Sequence, residues 1–313
     1  MAKKQKPKKL NKYVLFTILT AILSAPGVIL IKTVTNTGLD DMSFMAIRYT
    51  LLFLVCLPSI IRAFPLIRKN AKLILISGVT MILSAFTFTS SISKSSALYA
   101  SSLYILSPII FLLMSSAFYK EGITLRKITG IVIAFSGAFI MFALPALVDS
   151  DIQFYPEATI LIFIHMLVGA LIGILWRKIN EAHIPMAATL GITFAFPAVV
   201  ALVISLIANQ GISTPISIIA NNLFILPIIV YASIVISIVT HHLNTISYRK
   251  VGASVISASS YLHKLLAVSL PIIFLNERPS VYLIIGAIVT VAGIIVIDTK
   301  HHTRDHHHRH TRH

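Results

Sequence analysis

Residues 95–140 read SSALYASSLYILSPIIFLLMSSAFYKEGITLRKITGIVIAFSGAFI, and residues 251–296 read VGASVISASSYLHKLLAVSLPIIFLNERPSVYLIIGAIVTVAGIIV. The second stretch matches the first at a displacement of 156 residues, without a gap. Within that frame and just ahead of it, Thr89, Ser91, Lys94, Ala97, Ser101, Leu106, Phe118, Glu121, Ile128, Gly130 and Gly137 fall on Thr245, Ser247, Lys250, Ala253, Ser257, Leu262, Phe274, Glu277, Ile284, Gly286 and Gly293. Coincidences of Ile, Leu and Ala are common between apolar segments. A Lys, Glu, Gly, Gly series at fixed spacing is not, and it marks an internal repeat.

The rest of the chain is of the same apolar kind. It has 313 residues, of which 57% are apolar and only 12% charged, and a mean hydropathy of +0.90. Soluble domains carry roughly twice that share of charge. These values exclude a disordered chain, a collagen, a coiled coil and an ordinary soluble enzyme. A hydrocarbon core about 30 Å thick takes about 20 apolar residues per helix. Charge clusters and turn residues divide the sequence into ten such spans, at 13–32, 43–63, 73–93, 96–118, 125–146, 158–177, 184–207, 223–245, 252–275 and 280–298. The expected fold is therefore an all-α integral membrane protein of ten transmembrane helices in two five-helix repeats, 13–148 and 158–298. A basic tail, 1–12, and a His-rich tail, 299–313, flank them. The single cysteine, Cys56, lies in an apolar run, so no intrachain disulfide exists.

Charge sets the expected orientation. An even number of spans puts both ends on one side, and cytoplasmic segments are enriched in Lys and Arg. With both termini cytoplasmic, the outer segments hold only Lys32, Lys94 and Arg278 of the 26 basic residues, and Arg48 and Lys264 fall inside spans. The other 21 lie on the inner side. The Lys3–Lys9 cluster then holds the first span at the cytoplasmic surface, rather than opening a cleaved leader. The net charge of +16 reflects this topology, not nucleic-acid binding.

Five spans separate the two copies of the repeat, and an odd number turns the second over in the membrane. Inverted repeats characterise secondary transporters, which hold their sites near the midplane between the halves. In its Ser/Ala-rich helix, hairpin carboxylate and helix with two spaced glycines, once per half, the sequence resembles the drug/metabolite transporter superfamily, EamA type. Arg48 in AIRYTLLF and Trp176 in ALIGILWRK resemble that family's second and sixth helices. The likeness covers the chain apart from its tails and implies a solute carrier. Two departures bear on substrate more than on fold. Ser24-Ala25-Pro26 stands where the family's first helix usually has Trp, and Lys264 replaces the central proline of the second copy.

Lys264 is the most informative residue. It lies about 18 Å from either end of its span, where an unpartnered cation costs roughly 2.5–3.5 kcal/mol or more. It either pairs with helix carbonyls or faces a wet central cavity. Ser257, Ser260, Tyr261 and Lys264 follow i, i+3, i+4, i+7 spacing and share a face. Their counterparts in the first copy are Ser101, Tyr104, Ile105 and Pro108, with Ser107 adjacent. The expected substrate-binding set is Lys264, Tyr261, Ser260, Ser257, His263, Tyr104, Ser101, Ser107 and Arg48, with Pro108 and Pro271 as hinges. Arg48 is equally compatible with snorkelling outward and with facing the cavity. His241, His242, His263 and His165 are possible proton carriers or buried hydrogen-bonding groups. Glu121 and Glu277 are expected to complement the N-termini of spans five and ten. The Gly130/Gly137 and Gly286/Gly293 pairs are expected to bring helices together.

No Asp or Glu falls mid-membrane, which favours a substrate bearing carboxylate or phosphate over a cationic drug. The expected function is alternating-access transport of a small metabolite across the plasma (cell) membrane, with no cofactor, no metal site and no enzymatic activity. The expected partners are a small-molecule solute and the lipid bilayer, and the protein is a monomer or a homodimer. One alternative is a flippase for lipid or lipid-linked sugar, with a phosphate head at Lys264. Another is an intramembrane enzyme using His241, His242 and His263, though no carboxylate partner accompanies them. The seven histidines of the tail repeat at no fixed spacing, so they suggest a solvated basic tail before a metal site.

Overall fold

Hydrocarbon offers the backbone no partners, so apolar runs of this length fold as helices. Every regular element among the described residues is helical. The computed structural model describes residues 12–120, 122–148, 154–209, 211–248, 250–251 and 253–298. Ser257's side chain, Glu121, residues 1–11 and the His-rich tail, 299–313, lie outside the described set.

The first half opens with α1 (Lys12–Ser24) and α2 (Gly27–Thr35). The break between them falls at Pro26, which has no N–H to donate to the carbonyl four residues earlier. Then come α3 (Asp41–Lys69) and α4 (Ala71–Ser93), joined at Asn70 alone. Ser96 caps α5 (Ala97–Leu103) by accepting from the Tyr99 amide. A 3-10 turn, Tyr104–Leu106, leads into α6 (Ser107–Tyr119). Next, α7 (Leu125–Ala138) passes through a π-helical turn, Phe139–Ala143, into α8 (Leu144–Val148).

The second half holds α9 (Pro156–Glu181), α10 (Met186–Ala208), a short α11 (Ser213–Asn221) and α12 (Ile225–Val230). A π-helical stretch, Tyr231–Val239, joins α12 to α13 (Thr240–Tyr248). The last two helices are α14 (Ala253–Phe274) and α15 (Val281–Asp298). Among the described residues eight segments are long and apolar enough to cross a membrane, and Ala258–Phe274 and Val281–Ile297 are shorter apolar helices. Two features depart from the expected boundaries. The second span runs on through Pro65 to Lys69, and α11 interrupts the segment between the seventh and eighth.

Packing follows the repeat. The equivalent helices α3 and α10 pack on each other, and so do α7 and α15. The α4–α9 contact has its counterpart in α13 on α1, and α6–α9 has its counterpart in α14 on α1. Contacts paired in this way are what an approximate two-fold between the halves requires. At the α7–α15 crossing a Cβ on Gly137 would lie 2.6 Å from the Gly286 carbonyl oxygen, and one on Gly286 would lie 2.5 Å from that of Gly137. Gly130 and Gly293 repeat the arrangement at 2.7 and 2.6 Å. The backbones touch, as the glycine spacing predicts.

One end of the bundle is tied by polar contacts. Both oxygens of Glu277 accept backbone N–H groups at the start of α5, from Ala97 at 2.9 Å and Leu98 at 2.6 Å. This corrects the expectation for Glu277. The carboxylate does complement a helix N-terminus, but that of α5 in the opposite half rather than that of α15, which it precedes. Near it, Lys32 Nζ donates to the carbonyls of Ser93 at 3.1 Å and Ser95 at 2.6 Å. The Ser93 hydroxyl donates to Asp41, Lys94 pairs with Glu157, and the Tyr99 hydroxyl meets that of Thr159 at 2.6 Å. Asp40 caps α3. Burial raises its carboxyl, but hydrogen bonds from Ser43, Asn209 and the Met42 amide outweigh that and hold it below the usual carboxylate range.

Glu277→Ala should loosen this end by about 1–2 kcal/mol, the usual worth of an N-cap. The check is the rate at which a maleimide labels Ser280→Cys in a Cys56→Ser background. Glu277→Ala should raise that rate, and an unchanged rate would show that the cap does not hold the end closed.

Candidate functional site

The centre of the bundle is hollow. One chamber, about 520 Å³, is lined by Tyr104, Ser107 and Pro108 of the fourth span, His165 to Trp176 of α9, His241 of α13, and Ser260, His263 and Lys264 of α14. A second, about 280 Å³, is lined by Ser24 and Ala25 at the break in the first span, and by Arg48, Phe88, Ser101, Ser237 and Ala267. The two share Met81, Ser84, Tyr104, His165, His241 and His263 as walls. They are compartments of one cavity between the halves. Volumes of this order are typical of small-molecule sites.

Lys264 is only 8% exposed. Its Nζ stands 3.3 Å from the centroid of the Tyr104 ring. Among the described residues it has no carboxylate within ion-pair distance, since Lys94–Glu157 and Arg177–Glu181 are the ion pairs there. No hydrogen bond from its ammonium is present among them either, so the carbonyl-paired alternative is not what the structure shows. A desolvated cation over an aromatic face gains about 2 kcal/mol, less than an unpartnered charge at this depth costs.

The Tyr104 ring sits where it does because of a backbone break. Pro108 has no N–H to donate to the Tyr104 carbonyl, and the chain adopts the 3-10 turn Tyr104–Leu106 just ahead of it. The equivalent position in the other half is Lys264 itself, and α14 runs unbroken through it. Pro271, the other expected hinge, lies inside that continuous helix.

Arg48 faces the second chamber, which decides between its two readings. Its Nη2 donates at 3.4 Å to the Ala232 carbonyl and at 3.5 Å to Ser237 Oγ, both long. Its guanidinium lies 5.3 Å from the Tyr49 ring centroid. Arg48 Nε, Trp176 Nε1 and Ser101 Oγ are buried without a hydrogen-bond partner among the described residues. His165 is anchored instead: its Nδ1 lies 3.0 Å from the Ser84 carbonyl and 3.2 Å from Ser84 Oγ. Its ring stacks at a tilt on Phe88 and Tyr104.

The expected binding set is therefore brought together, with one exception in the described part. Ser101, Tyr104, Ser107, Arg48, Ser260, His263 and Lys264 line the chambers. Tyr261 does not. It packs into the apolar cluster around Leu103, Leu106 and Ile109. At about 100° per residue, the cavity face of α14 centres on Ser260, His263 and Ala267, and Tyr261 lies about a third of a turn away. His242 is exposed, about 100° around its helix from His241, and it lines neither chamber. Sequence reasoning underrated His165 and Trp176. Their signal was present in the stripe His165, Gly169, Ile172, Trp176 at i, i+4, i+7, i+11, all of which lines the first chamber. Among the described residues no cluster of His, Cys, Asp or Glu is arranged to hold a metal ion.

A search of curated proteins finds no match. Among solved structures, a crystal structure of another protein superposes with a TM-score of 0.60 at 14% identity, over 92% of this chain and 96% of that one. At that identity the likeness bears on the fold alone. The model of the EamA-like transporter family matches residues 11–143 and again 157–299. With both matches together covering most of the chain, this multi-pass membrane protein belongs to the EamA-like transporter family.

Proposed function

We propose that the protein is a ten-span secondary carrier that binds a small organic anion at Lys264 and passes it across the plasma membrane by alternating access. The observation that carries this reading is Lys264 itself: a cation 8% exposed, at a cavity wall, with an aromatic face but no carboxylate of the described residues beside it. Neither chamber is lined by a carboxylate among the described residues. A buried cation is best matched by a charge-assisted hydrogen bond to an anion. Helix α14, at 22 residues, spans about 33 Å, and α15 completes the ten. The positive-inside bias puts both termini in the cytoplasm and the Glu277 end outside.

In this orientation the Glu277 and Tyr99 contacts tie the two halves together at the outer end, beside a cavity of about 490 Å³ lined by Tyr99, Glu277 and Ser280. The first chamber extends inward along α9 from His165 toward Trp176. Alternation then consists of rocking one half against the other, with the break before Pro108 absorbing the bend. The experiment is counterflow. Proteoliposomes loaded with an unlabelled organic anion should accumulate the labelled anion by exchange and should not accumulate cationic drugs. Counterflow of cations, with none for carboxylates or phosphate esters, would overturn the reading. Pro108→Ala restores the hydrogen bond to the Tyr104 carbonyl and stiffens the break. It should slow counterflow several-fold with little change in anion affinity, and equal turnover would remove Pro108 from the mechanism.

A further inference from the structure

Two cations face one cavity from different compartments. Lys264 lines the first chamber and Arg48 the second. Tyr104 and His165 stand between them as shared walls. Neither cation has a carboxylate partner among the described residues, and the hydrogen bonds of Arg48 are long. Its Nε is buried with no hydrogen-bond partner among them. At the other end of the cavity, the indole N–H of Trp176 is in the same condition. The ammonium, guanidinium and indole groups are donors with no acceptor capacity. A buried donor is best satisfied by an acceptor, and these donors line both chambers, so each chamber favours a ligand group that carries hydrogen-bond acceptors.

We infer that the substrate carries two anionic groups, one held at Lys264 in the first chamber and the other at Arg48 in the second, with the linking chain passing Tyr104 and His165. This rests on the reading of Lys264 as an anion site and extends it. A monoanion would leave one cation without a counter-charge in a low-dielectric cavity, where the two positive groups also repel each other. A dianion satisfies both. The second chamber is the smaller, at about 280 Å³ against 520 Å³, which suits a carboxylate at Arg48 and leaves the larger chamber for a carboxylate or a phosphate. The planar fork of Arg48 fits the two oxygens of a carboxylate better than an ammonium would.

The chain contains one tryptophan, Trp176, and it lines the first chamber, so its emission reports occupancy directly. Full-length protein in detergent would be titrated with butyrate, with malonate, succinate, glutarate and adipate, and with phosphonoacetate and phosphonopropionate. One member of the dianion series should bind about tenfold or more tighter than butyrate, as an added charge-assisted contact implies. Arg48→Gln should collapse that dianion-to-monoanion ratio toward one, and Arg48→Lys should retain part of it. The ratio is an internal control, because a variant that merely misfolds loses both ligands together. Dianions binding no better than butyrate, or a ratio unmoved by Arg48→Gln, would overturn the two-headed site while leaving the anion site at Lys264 standing. If no anion perturbs Trp176, and Lys264→Met changes nothing, the anion reading itself fails and this inference with it.

Discussion

Replacing Lys264 with methionine should abolish anion counterflow and leave the protein as stable as before, or more so. The two effects separate because the lysine contributes little to the fold. It donates no hydrogen bond among the described residues, forms no ion pair there, and touches a ring that methionine contacts equally well. Removing an incompletely compensated buried charge and filling its space with an apolar chain of similar length is typically neutral or stabilising. Binding is another matter. A charge-assisted contact to a buried anion is worth about 1.5–3 kcal/mol, so affinity should fall by roughly one to two powers of ten, and transport below detection at ordinary substrate levels. Lys264→Arg keeps the charge on a bulkier head in a site sized for an ammonium against Tyr104, and should retain part of the binding. The checks are melting temperature in detergent and counterflow in proteoliposomes, made on the same preparations. A methionine variant that transports normally would show that the lysine is a passive element of the bundle. One that melts much lower would show that it holds helices together.

Much of this was legible in the sequence, and the reason is physical. A bilayer allows only helices and closed barrels, and continuous apolar runs of about 20 residues suit the helix alone, so length and composition fix the helices nearly by themselves. An inverted repeat then constrains which helices meet. The Gly130/Gly137 and Gly286/Gly293 spacing was readable because close backbone contact admits no substitute for glycine. Lys264 was readable because a cation at mid-span has no ordinary reason to be there.

The parts that were not legible depend on tertiary placement. The carboxylate of Glu277 could be seen to want a helix N-terminus, but which one depends on how the α14–α15 hairpin lies against the other half. Tyr261 shared a nominal face with Lys264, yet the cavity meets that face off-centre, toward His263. The π-helical stretch at Tyr231–Val239 has no pattern in an apolar run, although it exposes the Ala232 carbonyl that accepts from both Ser237 and Arg48. Arg48 itself was ambiguous because snorkelling and facing inward differ only by the rotation of α3 about its axis.

The second large effect lies far from any ligand. Gly137→Ala should destabilise the protein by more than about 3 kcal/mol, at or beyond the upper range for overpacked cores. The new Cβ would lie 2.5 Å from the Thr290 backbone nitrogen and 2.6 Å from the Gly286 carbonyl oxygen. Neither atom is the end of a flexible side chain, so relief requires α7 and α15 to move apart along their length. That motion would also pull Ala134 from the Thr290 hydroxyl, which donates to its carbonyl at 3.2 Å. Gly286→Ala meets the mirror obstacle, the Gly137 carbonyl oxygen at 2.5 Å, and should be as damaging. Gly169→Ala is the control for stability: it too lies within a helix, but nothing stands within 4 Å of its would-be Cβ. Alanine there should be neutral or stabilising by up to about 1 kcal/mol through helix propensity. Melting curves and monodispersity of the three variants decide the matter. If Gly137→Ala melts with Gly169→Ala, the α7–α15 crossing is looser than backbone contact, and the helices that close the two halves together must be held by something other than their glycines.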